Sequence, residues 1–182
     1  MRDDIDHCKP DELREQLRLA MKIVEMSPVI LFRRTPLPEP RLVQVSDNIS
    51  RFGYSAEALM NGELDWADFV HPDDHDRVRD EVMSFAESNT TDYQQTYRIF
   101  TRDGDVRWVE DTTTTERDAE GRIFYYQGIV VDVTERKQAA DRLRKSEAKF
   151  RRIVETAAEG FVLLDDDPRI VEVNDAYCRM HG

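Results

Sequence analysis

The chain has 182 residues, 40% of them hydrophobic and 35% charged, and a net charge of −12. That is room for one ordinary domain and more, or for two small ones, with enough charge to expect exposed helices or tails. The acidic balance argues against a nucleic-acid partner, because such binding rests on Lys and Arg neutralising phosphates.

The longest apolar runs, such as Val29–Phe32 and Phe161–Leu164, are four residues long. A membrane span needs roughly 20, and the opening MRDDIDHCKP lacks the apolar core of a signal peptide. Cys8 and Cys178 form no close pair, so no disulfide framework or CxxC knuckle is present, and a reducing cytoplasm fits.

Pro10 to Met26 reads as a helix, with Leu13, Leu17, Ala20 and Val24 in one heptad-type stripe. Pro28 ends it. Two short β-type runs follow, VILFRR (29–34) and RLVQV (41–45), separated by the proline-rich TPLPEP. SDNISRFGYSAEALM reads as short polar helices broken at Gly53.

The segment FVHPDDHDRVRDEV then packs His71, Asp73, Asp74, His75 and Asp76 together. One reading is a metal-dependent hydrolase, since His71 and His75 have the i, i+4 spacing that shares a helix face. But Pro72 suits a helix's first turn and so places His71 before the helix. The other histidines, His7 and His181, lie in the tail and in the last segment. The cluster reads better as the joint before a helix from about Asp73 to Ser88. Asp73, Asp74 and Asp76 then sit at its positive end, and Val78, Val82 and Phe85 anchor one face. No metal site is expected, and His75 has no assigned role.

Three strands come next, joined at Asp103-Gly104 and at Asp118-Ala119-Glu120-Gly121, an antiparallel meander. Strand alternation puts Tyr97, Ile99, Tyr126, Gly128 and Val130 on one face. With Trp66 they form the candidate ligand pocket, mostly apolar with two phenols. The opposite face carries Phe100, Val106, Trp108, Ile129 and Val131. A sheet apolar on both sides needs cover on both, so this face, with Leu13, Leu17 and Val24 of the first helix, is the expected homodimer surface.

A second long helix is expected from Thr134 to about Ala158, with Ala140, Leu143, Phe150, Val154 and Ala157 at heptad spacing and Glu147 in the seam. Thr134 would cap it through its hydroxyl, and Asp132 and Glu135 suit its positive end. The chain then repeats itself: Ile23-Val24-Glu25 returns as Ile153-Val154-Glu155, VILF as FVLL, and Val45-Ser46-Asp47 as Val173-Asn174-Asp175. A period of about 130 residues is domain-sized. One whole domain and the opening of another are expected, a piece of a longer multidomain protein.

These phrases carry a resemblance. VSDNISRFGYSAEAL, DWADFVHPDDHDRV, YRIFTRDGDVRWVED, GRIFYYQGIVVDVTERK and LRKSEAKFRRIVETAAEGFVLLD stand in the order of a PAS sensor domain followed by a signalling helix and a second, truncated PAS domain. The resemblance implies an α+β PAS fold: a five-stranded antiparallel sheet with short helices on one face, flanked by amphipathic helices. It implies a tail and helix over 1–27, a PAS domain over 28–134, a linker over 135–158 and a second PAS start over 159–182. It further implies a regulatory input module, without enzymatic activity, of a bacterial-type sensor. Such a module binds a small ligand or only dimerises and interacts with other proteins. Asp132, Thr134 and Glu135 would relay the signal to an output domain elsewhere, a histidine kinase or a GGDEF/EAL enzyme of cyclic di-GMP signalling.

Blue-light (LOV-type) relatives carry a reactive Cys that the stretch 54–70 lacks, and their flavin-edge polar positions fall here at Ile99, Val109 and Val130. Haem-binding relatives place a His within the stretch 77–88, which has none, and His75 comes too early. A flavin stacked on Trp66 stays open.

Overall fold

The computed structural model describes residues 10–36, 40–88 and 90–181. They fall into two compact units, one running to Thr134 and one from Glu135.

In the first unit, α1 (Pro10–Met26) leads into β1 (Val29–Arg34) and β2 (Leu42–Val45). Residues 47–52 make a 3₁₀ turn, α2 is Ala56–Met60, residues 66–69 make a second 3₁₀ turn, and α3 is Pro72–Glu87. The meander β3 (Asp92–Phe100), β4 (Val106–Arg117) and β5 (Ile123–Asp132) completes an antiparallel sheet ordered β2-β1-β5-β4-β3. The α+β fold expected from the sequence is therefore present.

Alternation along β3 buries Tyr93, Gln95, Tyr97 and Ile99 on the helix-covered face. Ile30, Ile49, Phe52, Val109 and Val130 join them in the core. A second cluster gathers Val82, Tyr93 and Tyr126, with Phe85 stacked on Tyr93 at 4.4 Å. Two glycines are steric requirements. Gly53 has φ of 82°, and a Cβ there would lie 2.8 Å from Arg102 Cβ. A Cβ on Gly128 would overlap the Thr112 carbonyl oxygen on the neighbouring strand.

The starts of α2, the second 3₁₀ turn and α3 have local causes. Ser55 accepts from the Ala58 amide, and Asp65 and Asp68 form a reciprocal capping box. His71 is the N-cap of α3, its Nδ1 accepting from the Asp73 amide at 3.3 Å, with Pro72 in the first turn.

The second unit contains most of α4 (Thr134–Thr156), the hairpin β6 (Val162–Leu164) and β7 (Ile170–Val173), and α5 (Asp175–His181). α4 ends two residues short of the expected bound. Ala157 lies beyond it, and its amide closes back on the Val154 carbonyl. Among the described residues no helix is long and apolar enough to cross a membrane.

Candidate ligand pocket and helix joints

A cavity of about 230 Å³ opens between the sheet and α3. Phe32, Leu42, Trp66, Val70, Val78 and Val82 supply its apolar lining, and Arg34, Gln95, Tyr97 and Asp111 its inner polar groups. His75, Arg79 and Asp65 also line it. It is smaller than the roughly 300–1,000 Å³ of drug-sized sites, so it suits a compact molecule.

One wall carries a line of hydrogen bonds. Trp66 Nε1 donates to the Tyr97 hydroxyl at 2.9 Å, and that hydroxyl donates to Asp111 Oδ2 at 2.9 Å. Thr113 Oγ1 donates to Asp111 Oδ1 at 2.8 Å. Burial raises the Asp111 carboxyl above the ordinary carboxylate value, against the lowering effects of Thr113, Arg34 and Tyr97. Burial, with Asp111 adding to it, raises the Tyr97 phenol well above its usual value, so Tyr97 stays protonated and a donor.

Of the candidate pocket residues, Trp66 and Tyr97 line the cavity. Ile99 and Val130 are packed in the core, and Tyr126 lies in the second cluster. Gly128, half-buried, lies against the Thr112 carbonyl of β4, where a Cβ would not fit. Arg34, Gln95 and Asp111 were not anticipated. The only sequence signal for Asp111 is its parity with Val109 along β4, and the run DTTTT that follows Glu110 hides that parity.

The histidine–carboxylate cluster divides its work. Asp74 is buried, and both its oxygens take Arg98: Nε to Oδ2 at 2.9 Å and Nη2 to Oδ1 at 3.0 Å. The Arg98 backbone amide also donates to Oδ2 at 2.8 Å. Asp74 is thus a clamp between α3 and β3 as well as a first-turn acid. His71 stacks on Phe100 at 5.1 Å, and His75 turns to the cavity. The two imidazoles therefore have separate settings. Among the described residues no group of three or more His, Cys, Asp and Glu is placed to hold a metal.

At the sheet–helix junction, Asp132 Oδ1 accepts from the Thr134 amide at 2.8 Å. Thr134 Oγ1 does not cap α4. It accepts from the Trp108 amide at 2.8 Å, because Val133 pairs with the Trp108 carbonyl and carries the β4–β5 ladder one step further. Glu135 follows, exposed, in the first turn.

A second joint occurs in both units. In the second, Asn174 Nδ2 donates to the carbonyls of Val154 (2.9 Å) and Glu159 (3.0 Å), and Asn174 exchanges hydrogen bonds with Phe161. In the first, Ser46 occupies that place opposite Leu31. The amide role passes to Asn48, whose Nδ2 donates to Val24 (3.2 Å), Ser27 (3.0 Å) and Val29 (2.7 Å) carbonyls. Ser46 Oγ donates to Asn48 Oδ1 at 2.6 Å, fixing the amide's orientation. Either way, a side-chain amide ties the end of the preceding helix to the first strand.

On the other face of the sheet, Phe100, Trp108, Ile129 and Val131 are half-buried and Leu31 is exposed. In α1, Val24 is half-buried, while Ala20 of the expected stripe is exposed, as are Leu19, Met21 and Ile23. The side chains of Leu13 and Leu17 lie outside the described residues.

A five-stranded antiparallel sheet with short helices over a small cavity, its last strand followed directly by a helix, defines a class of α+β domain. Comparison with known proteins names the family. The PAS fold family matches residues 42–130 and the PAS domain family matches residues 148–182. The chain belongs to the PAS family, as a PAS sensor of the kind found in signalling proteins.

It is 35% identical over 143 residues to a methyl sulfide methyltransferase-associated sensor of Methanosarcina acetivorans, covering 79% of this chain and 14% of that protein. It is 25% identical over 113 residues to the sensor protein FixL of Bradyrhizobium diazoefficiens, covering 62% of this chain and 22% of FixL. A sensory box histidine kinase/response regulator structure from Burkholderia thailandensis matches with TM-score 0.56 and 28% identity, covering 76% of this chain and 98% of that one. The chain spans 14% and 18% of the length of the two curated relatives with the longest matches.

Proposed function

We propose that the chain is a non-catalytic input module. A small molecule enters the cavity of the first unit, and flanking helices pass the change to an output domain in the full-length protein, a histidine kinase or a cyclic di-GMP enzyme. The sensor proper is 28–134, the signalling helix 135–158, and 159–182 opens a second sensor domain. Two copies associate through α1 and the outer face of the sheet. The relatives named as sensors and kinases support this reading.

The observation that carries it is the Trp66–Tyr97–Asp111 line. It joins the cavity wall to the 3₁₀ turn that precedes α3 and to two strands of the sheet. A ligand that competes for Asp111 must rearrange that line, so occupancy reaches β4. β4 in turn holds Thr134 through Trp108.

Denaturing mass spectrometry of small molecules released from purified full-length protein tests the cavity, with an absorbance spectrum beside it. A stoichiometric metabolite is the expected result. A protein that releases none, and whose Trp66 fluorescence answers no member of a metabolite library, is an interaction module instead. For the relay, Asp132→Ala removes one cap, at about 1 kcal/mol. It should uncouple output from input in the full-length protein with the fold intact. Regulation identical to wild type would remove Asp132 from the relay.

A further inference from the structure

The cavity brings two opposite charges to one wall, and both keep unused hydrogen-bonding capacity. Asp111 receives hydrogen bonds from Tyr97 and Thr113, one on each oxygen, while an ionised carboxylate has about four acceptor positions. Arg34 lies on β1 with its guanidinium carbon 5.0 Å from the Tyr126 ring centroid. Among the described residues its Nε is buried without a partner. The neighbouring Tyr93 hydroxyl, with Arg34 and Thr113 beside it, also makes no hydrogen bond of good geometry. Buried groups left open in this way call for an explanation.

The other charged groups around the cavity are already engaged. Arg79 is paired with Asp76 and Asp80, each at 3.2 Å. The Asp65 carboxylate is exposed to solvent and caps the second 3₁₀ turn by accepting from the Ala67 amide. The Gln95 amide nitrogen donates to the Val78 carbonyl and to Glu81. Arg34 and Asp111 remain as the opposed charges, with the His75 imidazole also on the lining and Phe32, Leu42, Val70, Val78 and Val82 supplying its apolar part.

We propose that the ligand is a small amphoteric molecule: an apolar body carrying a cationic donor group for Asp111 and an anionic acceptor group for Arg34, the chemistry of an apolar amino acid. The proposal rests on the reading that the cavity holds a ligand. A molecule with only one of the two charges fills the open hydrogen-bonding positions of one side chain and leaves those of the other unfilled, which is the source of discrimination.

Calorimetric titration of the full chain with four probes sharing one ring tests it: L-phenylalanine, phenethylamine, 3-phenylpropionate and ethylbenzene. L-Phenylalanine should bind at least tenfold tighter than either singly charged relative. Asp111→Asn should erase its advantage over 3-phenylpropionate, and Arg34→Gln its advantage over phenethylamine. Circular dichroism confirms that each variant is folded, and if one fails to fold, the other still decides. Equal binding of a singly charged probe overturns the amphoteric class. So does binding of ethylbenzene alone, though that leaves the cavity reading standing. Binding of none of the four overturns the amphoteric class, and the cavity reading then rests on the mass-spectrometric test above.

Discussion

Asp74 and Asp111 are both buried carboxylates, and their surroundings move them in opposite directions. The Arg98 side chain, donating to Asp74, holds that carboxyl below its ordinary value. Its stabilisation is therefore present above the ordinary carboxylate value of about 3.9 and is lost as pH falls through the lowered one. Asp74→Ala removes the clamp and strands the Arg98 amide, which should cost about 2–3 kcal/mol in urea denaturation at pH 7. A loss under about 0.5 kcal/mol, the range of neutral surface changes, contradicts the clamp. For Asp111, burial dominates and raises the value. The sign reverses: its favourable contribution is complete below about 3.9 and fades as pH rises through the raised value. Asp111→Asn should raise the melting temperature at pH 7, and the gain should vanish near pH 4 and below. A gain equal at both pH values would mean that ionisation is not the cause. Little of this was legible in the sequence. Arg98 meets Asp74 across 24 residues of chain, and local patterns are silent about such pairs. Arg34, at a strand end, reads as a surface charge until the fold lays its guanidinium over the Tyr126 ring.

Strands, turns and helices were far more legible, because they follow from local causes. The two-residue period fixed the inner faces of β3 and β5, Asp103-Gly104 and the turn ending in Gly121 fixed the joins, and Pro72 fixed the start of α3. The joints between elements were misread, because their bonds run to distant backbone. Thr134 looked like a helix cap and is instead the last rung of β4–β5. Asn48 looked like one polar residue of a short helix, yet its amide holds three carbonyls from residues 24–29. Asn48→Ala should therefore loosen the end of α1 where it meets β1. Hydrogen exchange should speed up at residues 27–31 and leave the β4–β5 core unchanged, with a global loss of about 1–2 kcal/mol. Asn174→Ala should do the same around residues 157–161 of the second unit. Uniform acceleration across the whole sheet would mean that Asn48 supports the core in general rather than the joint.

At the scale of the molecule the open question is what covers the outer face of the sheet. A sheet buried on one side only would alternate apolar and polar residues, but β1 and β5 are apolar on both sides. Val29 stands opposite Val131 and Leu31 opposite Ile129, which puts four apolar side chains side by side on adjacent strands facing away from the core. Leu31 is 37% exposed, and Leu19, Met21 and Ile23 of α1 are about 60% exposed. The proposed dimer answers both exposures at once, since two copies can each cover the other's helix and sheet. Ile129 sits where β1, β5 and β4 meet, opposite Leu31 and Thr112. Ile129→Arg would place two like charges in a symmetric contact while leaving the inner core untouched. Loss of a central anchor costs about 2 kcal/mol or more, roughly a thirtyfold weaker association. Sedimentation equilibrium should find the wild type dimeric and the variant monomeric at the same concentration, with matching circular dichroism. A wild type that stays monomeric at high concentration would remove the dimer and leave the outer face to a different partner.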